Sequence, residues 1–179
     1  MLIIGISGKA QHGKDTVAEF LKEGFESRGL KVLNVAFADY LKFAAQKYFD
    51  WNGEKDEKGR ETLQKVGTNF LRKNNPDIFV NIVKEFLKGL GEDGTYNVVT
   101  ISDVRFPNEI SLLTVGSFPT AFIRVNRPNF DNGLNEEQQK HPSETALDNL
   151  DVFDIYIEND GTLDDLKEKI NSIISTKFI

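Results

Sequence analysis

Residues 8–16 read Gly-Lys-Ala-Gln-His-Gly-Lys-Asp-Thr, between an apolar run from Leu2 to Ser7 and a segment with helical spacing. No other stretch limits the fold as tightly. An apolar strand that ends in a glycine turn and passes straight into a helix gathers several backbone N–H groups at the positive end of a helix dipole. Phosphate oxygens need that convergence, glycines permit the tight wrap, and Lys14 adds a point cation for the β- and γ-phosphates. The bland alternative is a glycine turn with Lys14 on the surface, which leaves the coincidence of lysine, glycine spacing and strand–helix context unexplained. Gly8, Lys9, Ala10, Gln11, His12, Gly13, Lys14, Asp15 and Thr16 are therefore the expected seat of ATP phosphates. One departure narrows the motif. A hydroxyl residue usually follows the lysine to ligate Mg2+, and here that residue is Asp15, so ligation is expected to pass to Asp15, Thr16 and a distant acid jointly.

From Lys14 onward, Val17, Phe20, Leu21 and Phe25 recur on one helical face, and Gly29 closes the segment. Lys31–Phe37, Asn97–Val104, Thr120–Val125 and Phe153–Glu158 are further strand-length apolar stretches. Asp39 is expected to cap a helix through Leu41, Ala44, Ala45 and Tyr48. Two more helices are expected, one through Leu63, Val66 and Phe70. The other begins at Pro76, runs through Phe79, Ile82, Val83, Phe86 and Leu87, and is broken by Gly89 to Gly94. Thr162 caps a last helix through Leu163, Leu166, Ile170 and Ile173, with Asp164 and Asp165 placed for its dipole.

Strands alternating with helices predict an α/β fold, a parallel sheet covered on both faces in three layers. Residues 1–179 are read as one domain, with a helical region at about 39–90 and a polar, turn-rich insertion at about 126–150. The insertion is expected to be either a mobile lid or a floppy excursion. A chain of 179 residues can bury such a core unaided. The absence of cysteine excludes a disulfide framework and a thiolate zinc site. A net charge of -6 argues against a basic face that coats nucleic acid, while a small anionic substrate stays open, because local amides and a few cations decide phosphate binding. No apolar run approaches the roughly 20 residues of a membrane span, so a cytoplasmic location is the expectation.

Phosphoryl transfer asks for charge neutralisation and in-line placement more than for a covalent nucleophile. Arg105 directly follows the third strand, at the edge where open parallel sheets collect ligands, and its planar guanidinium suits a second anion; Arg72 is the other candidate. A surface ion pair is the alternative for each. Asp103 ends the run Val98–Ser102, where an acid supports Mg2+ or its water shell, and a structural pair with Arg105 is the alternative. Asn159 to Thr162 follow the fifth strand, so their backbone is expected to line an adenine pocket. His12 is expected to point to solvent or acceptor, and His141, before a proline, is read as structural.

The loop's Gly13-Lys14-Asp15-Thr16 is followed in order by Phe37-Ala38-Asp39-Tyr40-Leu41-Lys42 and Asp103-Val104-Arg105-Phe106-Pro107-Asn108-Glu109. Then come His141-Pro142-Ser143-Glu144-Thr145-Ala146-Leu147 and Ile157-Glu158-Asn159-Asp160-Gly161-Thr162. This ordered set, spread over nearly the whole chain, resembles the deoxynucleoside monophosphate kinases of tailed bacteriophages. The resemblance implies a P-loop kinase fold with strand order 2-3-1-4-5, ATP and Mg2+ on the donor side, and a deoxynucleoside monophosphate as acceptor. Carried onto matching positions, it implies Lys14, Asp39, Arg105 and Arg127 as the catalytic set, with Arg127 closing from a lid. It implies Arg124, Asn159 and Gly161 beside ATP, and Asp39, Lys42, Arg72, Asp103, Arg105 and Glu144 around the acceptor. Asp15, Thr16 and Asp103 would serve the metal. A homodimer is a further implication. Dephospho-coenzyme A kinases and phosphomevalonate kinases are similar in fold and loop, and a nucleotide-dependent switch or ATPase module is the reading from another class. Which base is accepted depends on side-chain directions between Tyr40 and Asn81.

Overall fold

The computed structural model describes residues 1–54, 56–114 and 117–178. In chain order it contains β1 (Leu2–Ser7), α1 (Lys14–Glu26), β2 (Val32–Val35), α2 (Ala38–Tyr48) and α3 (Glu57–Gln64). A π-helical segment, Lys65–Arg72, continues α3, and is followed by α4 (Ile78–Asp93), β3 (Val98–Val104), α5 (Pro107–Thr114) and β4 (Thr120–Asn126). Two short helices, α6 (Glu136–Lys140) and α7 (Pro142–Thr145), precede β5 (Ile155–Glu158) and α8 (Leu163–Ile173). The strands form one sheet in the order β2-β3-β1-β4-β5, with every neighbouring pair parallel. This is the order implied by the resemblance.

β1 lies at the centre because its side chains are apolar on both faces, as a strand covered by helices on each side requires. Ile4 and Ile6 pack with Val17, Leu21 and Phe25 of α1 and with Leu166 and Ile170 of α8. Ile3 faces the opposite layer, where Phe79, Val80, Val83 and Leu87 of α4 lie against Val99 and Ile101. Gly5 is required by its neighbour on β4, since a Cβ there would stand 2.6 Å from the Phe122 ring. Thr162 caps α8 as expected, its hydroxyl accepting from Asp165 N while Asp165 returns a bond to the Thr162 N–H.

Three local expectations are corrected. α2 begins at Ala38, so Asp39 sits inside its first turn, and its carboxylate accepts from Ala36 N. The capping work falls to Asp103, which reaches across from β3 to the N–H groups of Phe37 and Ala38 at 2.7 and 2.8 Å. α4 starts at Ile78 rather than Pro76 and runs through Gly89 and Gly91 to Asp93, ending at Gly94 in the left-handed region. A helix glycine costs about 1 kcal/mol in propensity, and at Gly91 packing outweighs it: the Phe118 ring occupies the place a Cβ would take, 2.2 Å away. Finally, the insertion after β4 is no floppy excursion. It folds back over the glycine loop, where Gln11 Nε2 donates to Asn132 O at 2.9 Å and Ala10 N donates to Glu144 Oε2 at 2.8 Å.

Candidate active site

The loop between β1 and α1 holds three residues at positive φ: Gly8 at 152°, Gln11 at 61° and Gly13 at 97°. Gly8 has no room for a side chain, because a Cβ would stand 2.5 Å from Val125 O, and at Gly13 it would stand 2.6 Å from Asn159 Nδ2. The wrap leaves backbone amides facing the N-terminus of α1, where anions are favoured. Lys14 is buried, and its Nζ donates to Lys9 O at 2.7 Å. Burial first, and then the Arg105 charge, lower its pKa to about 8. His12 departs from expectation. It is buried beneath the loop and its Nδ1 accepts from Arg127 N at 3.1 Å, so the ring fixes the entry to the insertion instead of facing solvent or acceptor. Burial and the Lys14 charge lower its pKa and keep it neutral for that role.

Two cavities open beside the loop. The smaller, about 350 Å³, is lined by Gln11, Gly13, Lys14, Asp15, Thr16, Arg127, Asn159, Gly161 and Leu163. Arg127 leans on the Phe130 ring, 3.8 Å from its centroid. The larger, about 630 Å³, extends from the same loop under the helical region; Asp39, Lys42, Arg72, Asp103, Arg105 and Glu144 all line it. Ala10, Gln11, Lys14 and Asp15 also reach this second space.

Charges in the larger cavity are paired in ways that spacing alone does not reveal. Arg105 pairs with Glu144 and donates to Ser143 O at 2.9 Å; its structural partner is therefore the insertion, and the anticipated pair with Asp103 is absent. Glu144 Oε2 meanwhile accepts from the loop at Ala10 N, so one carboxylate bridges the loop and Arg105. Arg72 bonds the fully buried Glu109 at 2.7 Å and lies over the Phe79 and Phe106 rings at 4.7 and 4.1 Å. The other Glu109 oxygen accepts from Arg105 N and Phe106 N, which couples Arg72 to the backbone that presents Arg105. Burial raises the Glu109 pKa, opposed chiefly by Arg72. Burial also raises that of Asp103, against the two amides it caps. Asp39 and Lys42 form an exposed pair at 2.9 Å.

The expected donor residues do not all converge. Arg124 lines neither cavity: it donates to Ser7 Oγ at 3.0 Å and Asp148 at 2.6 Å, locked behind the loop where β4 meets β1. Lys9 turns outward to Asp148 at 3.1 Å. Both oxygens of Asp103 are already hydrogen-bonded to α2, and among the described residues no group of three His, Cys, Asp or Glu side chains could cage a metal. Asp15 and Thr16 face the smaller cavity together, which suits Mg2+ held by one or two protein oxygens, water and substrate phosphates.

A family profile for deoxynucleotide monophosphate kinases matches residues 28–170. The chain belongs to that family. It is thus a kinase, a phosphotransferase on a P-loop scaffold. A provisionally named deoxynucleotide monophosphate kinase of Acanthamoeba polyphaga mimivirus is 27% identical, with 97% of this chain and 96% of that protein aligned. The fold is shared with dephospho-CoA kinase from Campylobacter jejuni (TM-score 0.53, 14% identity, 97% and 95% of the two chains). It is also shared with the Mycobacterium tuberculosis APS kinase in complex with AMPPNP and APS (TM-score 0.51, 11% identity, 97% of both chains). Sequence reasoning missed Arg60, Gln64 and Thr68 in this family member, all of which line the larger cavity. Their four-residue spacing, continued by Arg72, was the available signal, but it is not an α-helical stripe.

Proposed function

We propose that the protein transfers the γ-phosphoryl group of ATP to a deoxynucleoside monophosphate. One observation carries the reading: two cavities, one against the α1 N-terminus and one under the helical region, meet at Gln11, Lys14 and Asp15. A kinase needs such a junction, since donor and acceptor must reach one point from opposite sides for in-line displacement. In this reading ATP occupies the smaller cavity, with its phosphates on the loop amides and Lys14, and with adenine toward Asn159 and Gly161. Mg2+ bound by Asp15 and Thr16 would neutralise charge on the phosphates. Asp103 serves mainly by holding the α2 N-terminus in place. The acceptor phosphate lies in the larger cavity near Arg105 and Lys42, and Asp39 is exposed enough to meet the acceptor sugar or accept a proton. Arg127, on the donor side, covers the phosphates from the insertion.

Family membership supports the acceptor class, as does a cavity roomy enough for a nucleotide whose lining includes Lys14, Lys42 and Arg105. The test is an ADP-release assay with ATP, Mg2+ and each deoxynucleoside monophosphate in turn. Stimulation by at least one is expected. Silence toward all of them, with turnover of dephospho-coenzyme A or phosphomevalonate, would move the protein to another acceptor class.

A further inference from the structure

Arg60, Gln64, Thr68 and Arg72 all line the larger cavity, although they stand four residues apart. A regular α-helix does not keep such a series on one face. Each four-residue step overshoots a full turn by roughly 40°, so three steps drift by roughly 120°. The chain removes the drift by passing from α3 into the π-helical segment Lys65–Arg72, whose i→i+5 bonds turn the backbone more slowly. Gly67 lets this segment close against α2, since a Cβ there would come within 3.0 Å of Leu41 Cδ2. A rare backbone form is thus used to aim four polar side chains into one space.

Arg72 is committed to Glu109. Among the described residues the Gln64 amide and the Thr68 hydroxyl have no protein hydrogen bond. Thr68 thus differs from Thr62, Ser111, Thr114 and Thr176, whose hydroxyls each bond back to the carbonyl four residues earlier. No buried side-chain polar atom lacks a partner among the described residues, so the free groups of Gln64 and Thr68 are solvent-accessible, and both residues line the cavity.

We propose that Gln64 and Thr68 read the base of the acceptor nucleotide. The inference rests on the larger cavity being the nucleotide acceptor's. Its phosphate end is set by Lys14 and Arg105, and Arg72 is held at that end because Glu109 bonds both Arg72 and the Arg105 backbone. From Arg72 the stripe runs back along the helical segment, placing Thr68 and then Gln64 progressively farther from the phosphate end, in the sense that phosphate, sugar and base run along a nucleotide. Leu41, Leu63 and Phe37 line the same space and offer apolar surface to a ring face. An amide presents a donor and an acceptor side by side, the pattern a base edge carries, and a hydroxyl adds one of either kind.

The experiment measures kcat and KM for dAMP, dCMP, dGMP and dTMP at saturating ATP, on the full chain and on Gln64→Leu, Thr68→Val and Thr68→Ser. ATP affinity of each variant serves as the check that it is folded. Loss of the amide is expected to change the ratio of kcat/KM between the best and worst acceptors by at least about fivefold, through KM with kcat largely held. Thr68→Val changes the ratio in a smaller degree, and Thr68→Ser restores it. Wild-type kcat/KM values equal for all four bases, or a loss of the same factor for every base in Gln64→Leu, would overturn the proposal. Wild-type silence toward all four would instead refute the acceptor reading itself, and this inference with it.

Discussion

Lys14 must be charged to meet phosphate, yet the unliganded fold buries it. Its pKa falls from 10.5 to about 8, first through burial and next through Arg105. At about 1.4 kcal/mol per unit, holding the buried ammonium without a phosphate beside it costs about 3 kcal/mol relative to the unfolded chain. Methionine has a similar length and no charge. Lys14→Met removes that cost and also the bond from Nζ to Lys9 O, 2.7 Å long, which is worth about 1–2 kcal/mol. The unliganded variant is therefore expected to be more stable by about 1–2 kcal/mol, or about 2–8 °C in Tm for a chain of this size, while kinase turnover collapses. The pH dependence supplies a signature. The folded protein releases the Lys14 proton near about 8 and the unfolded chain only near 10.5. Below that window the cost is present in full, and it is relieved as pH rises through it, so the variant's advantage shrinks from about pH 8 upward. Urea unfolding of both proteins without nucleotide, at several pH values from about 7 to 10, reads the difference directly. A variant less stable than wild type at about pH 7, or a stability difference that does not vary with pH, would refute the reasoning.

Gly8→Ala must fit a Cβ 2.5 Å from Val125 O at a φ of 152°, so a loss of about 1–3 kcal/mol is expected, together with weaker ATP binding. Wild-type behaviour in both a thermal melt and an ATP titration would contradict the loop geometry. Arg72→Lys keeps the charge but cannot lie flat over Phe79 and Phe106 while bonding Glu109; it should lower stability by about 1–3 kcal/mol. Because Arg72 acts through Glu109, kcat is expected to fall more than ATP affinity, and an unchanged kcat would separate Arg72 from the placement of Arg105. Glu144→Gln retains an acceptor for Ala10 N–H and loses the ion pair with Arg105, for an expected loss of about 1–2 kcal/mol in urea unfolding. A loss below about 0.5 kcal/mol would mean the bridge is not formed in solution.

The donor side was legible in the sequence because its determinants are local. Gly8, Gly13 and Lys14 are adjacent in the chain, and a glycine turn between an apolar strand and a helix folds into the same cradle wherever it occurs. The five strands could be read for a related reason, since strands buried on both faces appear as mostly apolar runs at Leu2–Ser7 and Val98–Val104. Local spacing failed where a distant residue outweighed it. By spacing alone Gly91 belongs to a helix break, yet Phe118 makes it an interior helix position. By spacing alone Asp39 is the cap of α2, yet Asp103 performs that work from β3.

By itself the sequence determined that the chain would build a parallel α/β sheet with an anion cradle at the end of its first strand, because burial and backbone freedom at neighbouring residues decide both. Only the tertiary structure decided how the charges are shared out. Arg124 and Lys9 turn to Asp148 outside both cavities, Arg72 is held by Glu109, and Arg105 meets Glu144. Ion pairing depends on which side chains come within a few ångströms across the fold, and that proximity is not written in the spacing along the chain. The same holds for the stripe from Arg60 to Arg72, which faces one cavity only because the helix slows its turn after Gln64.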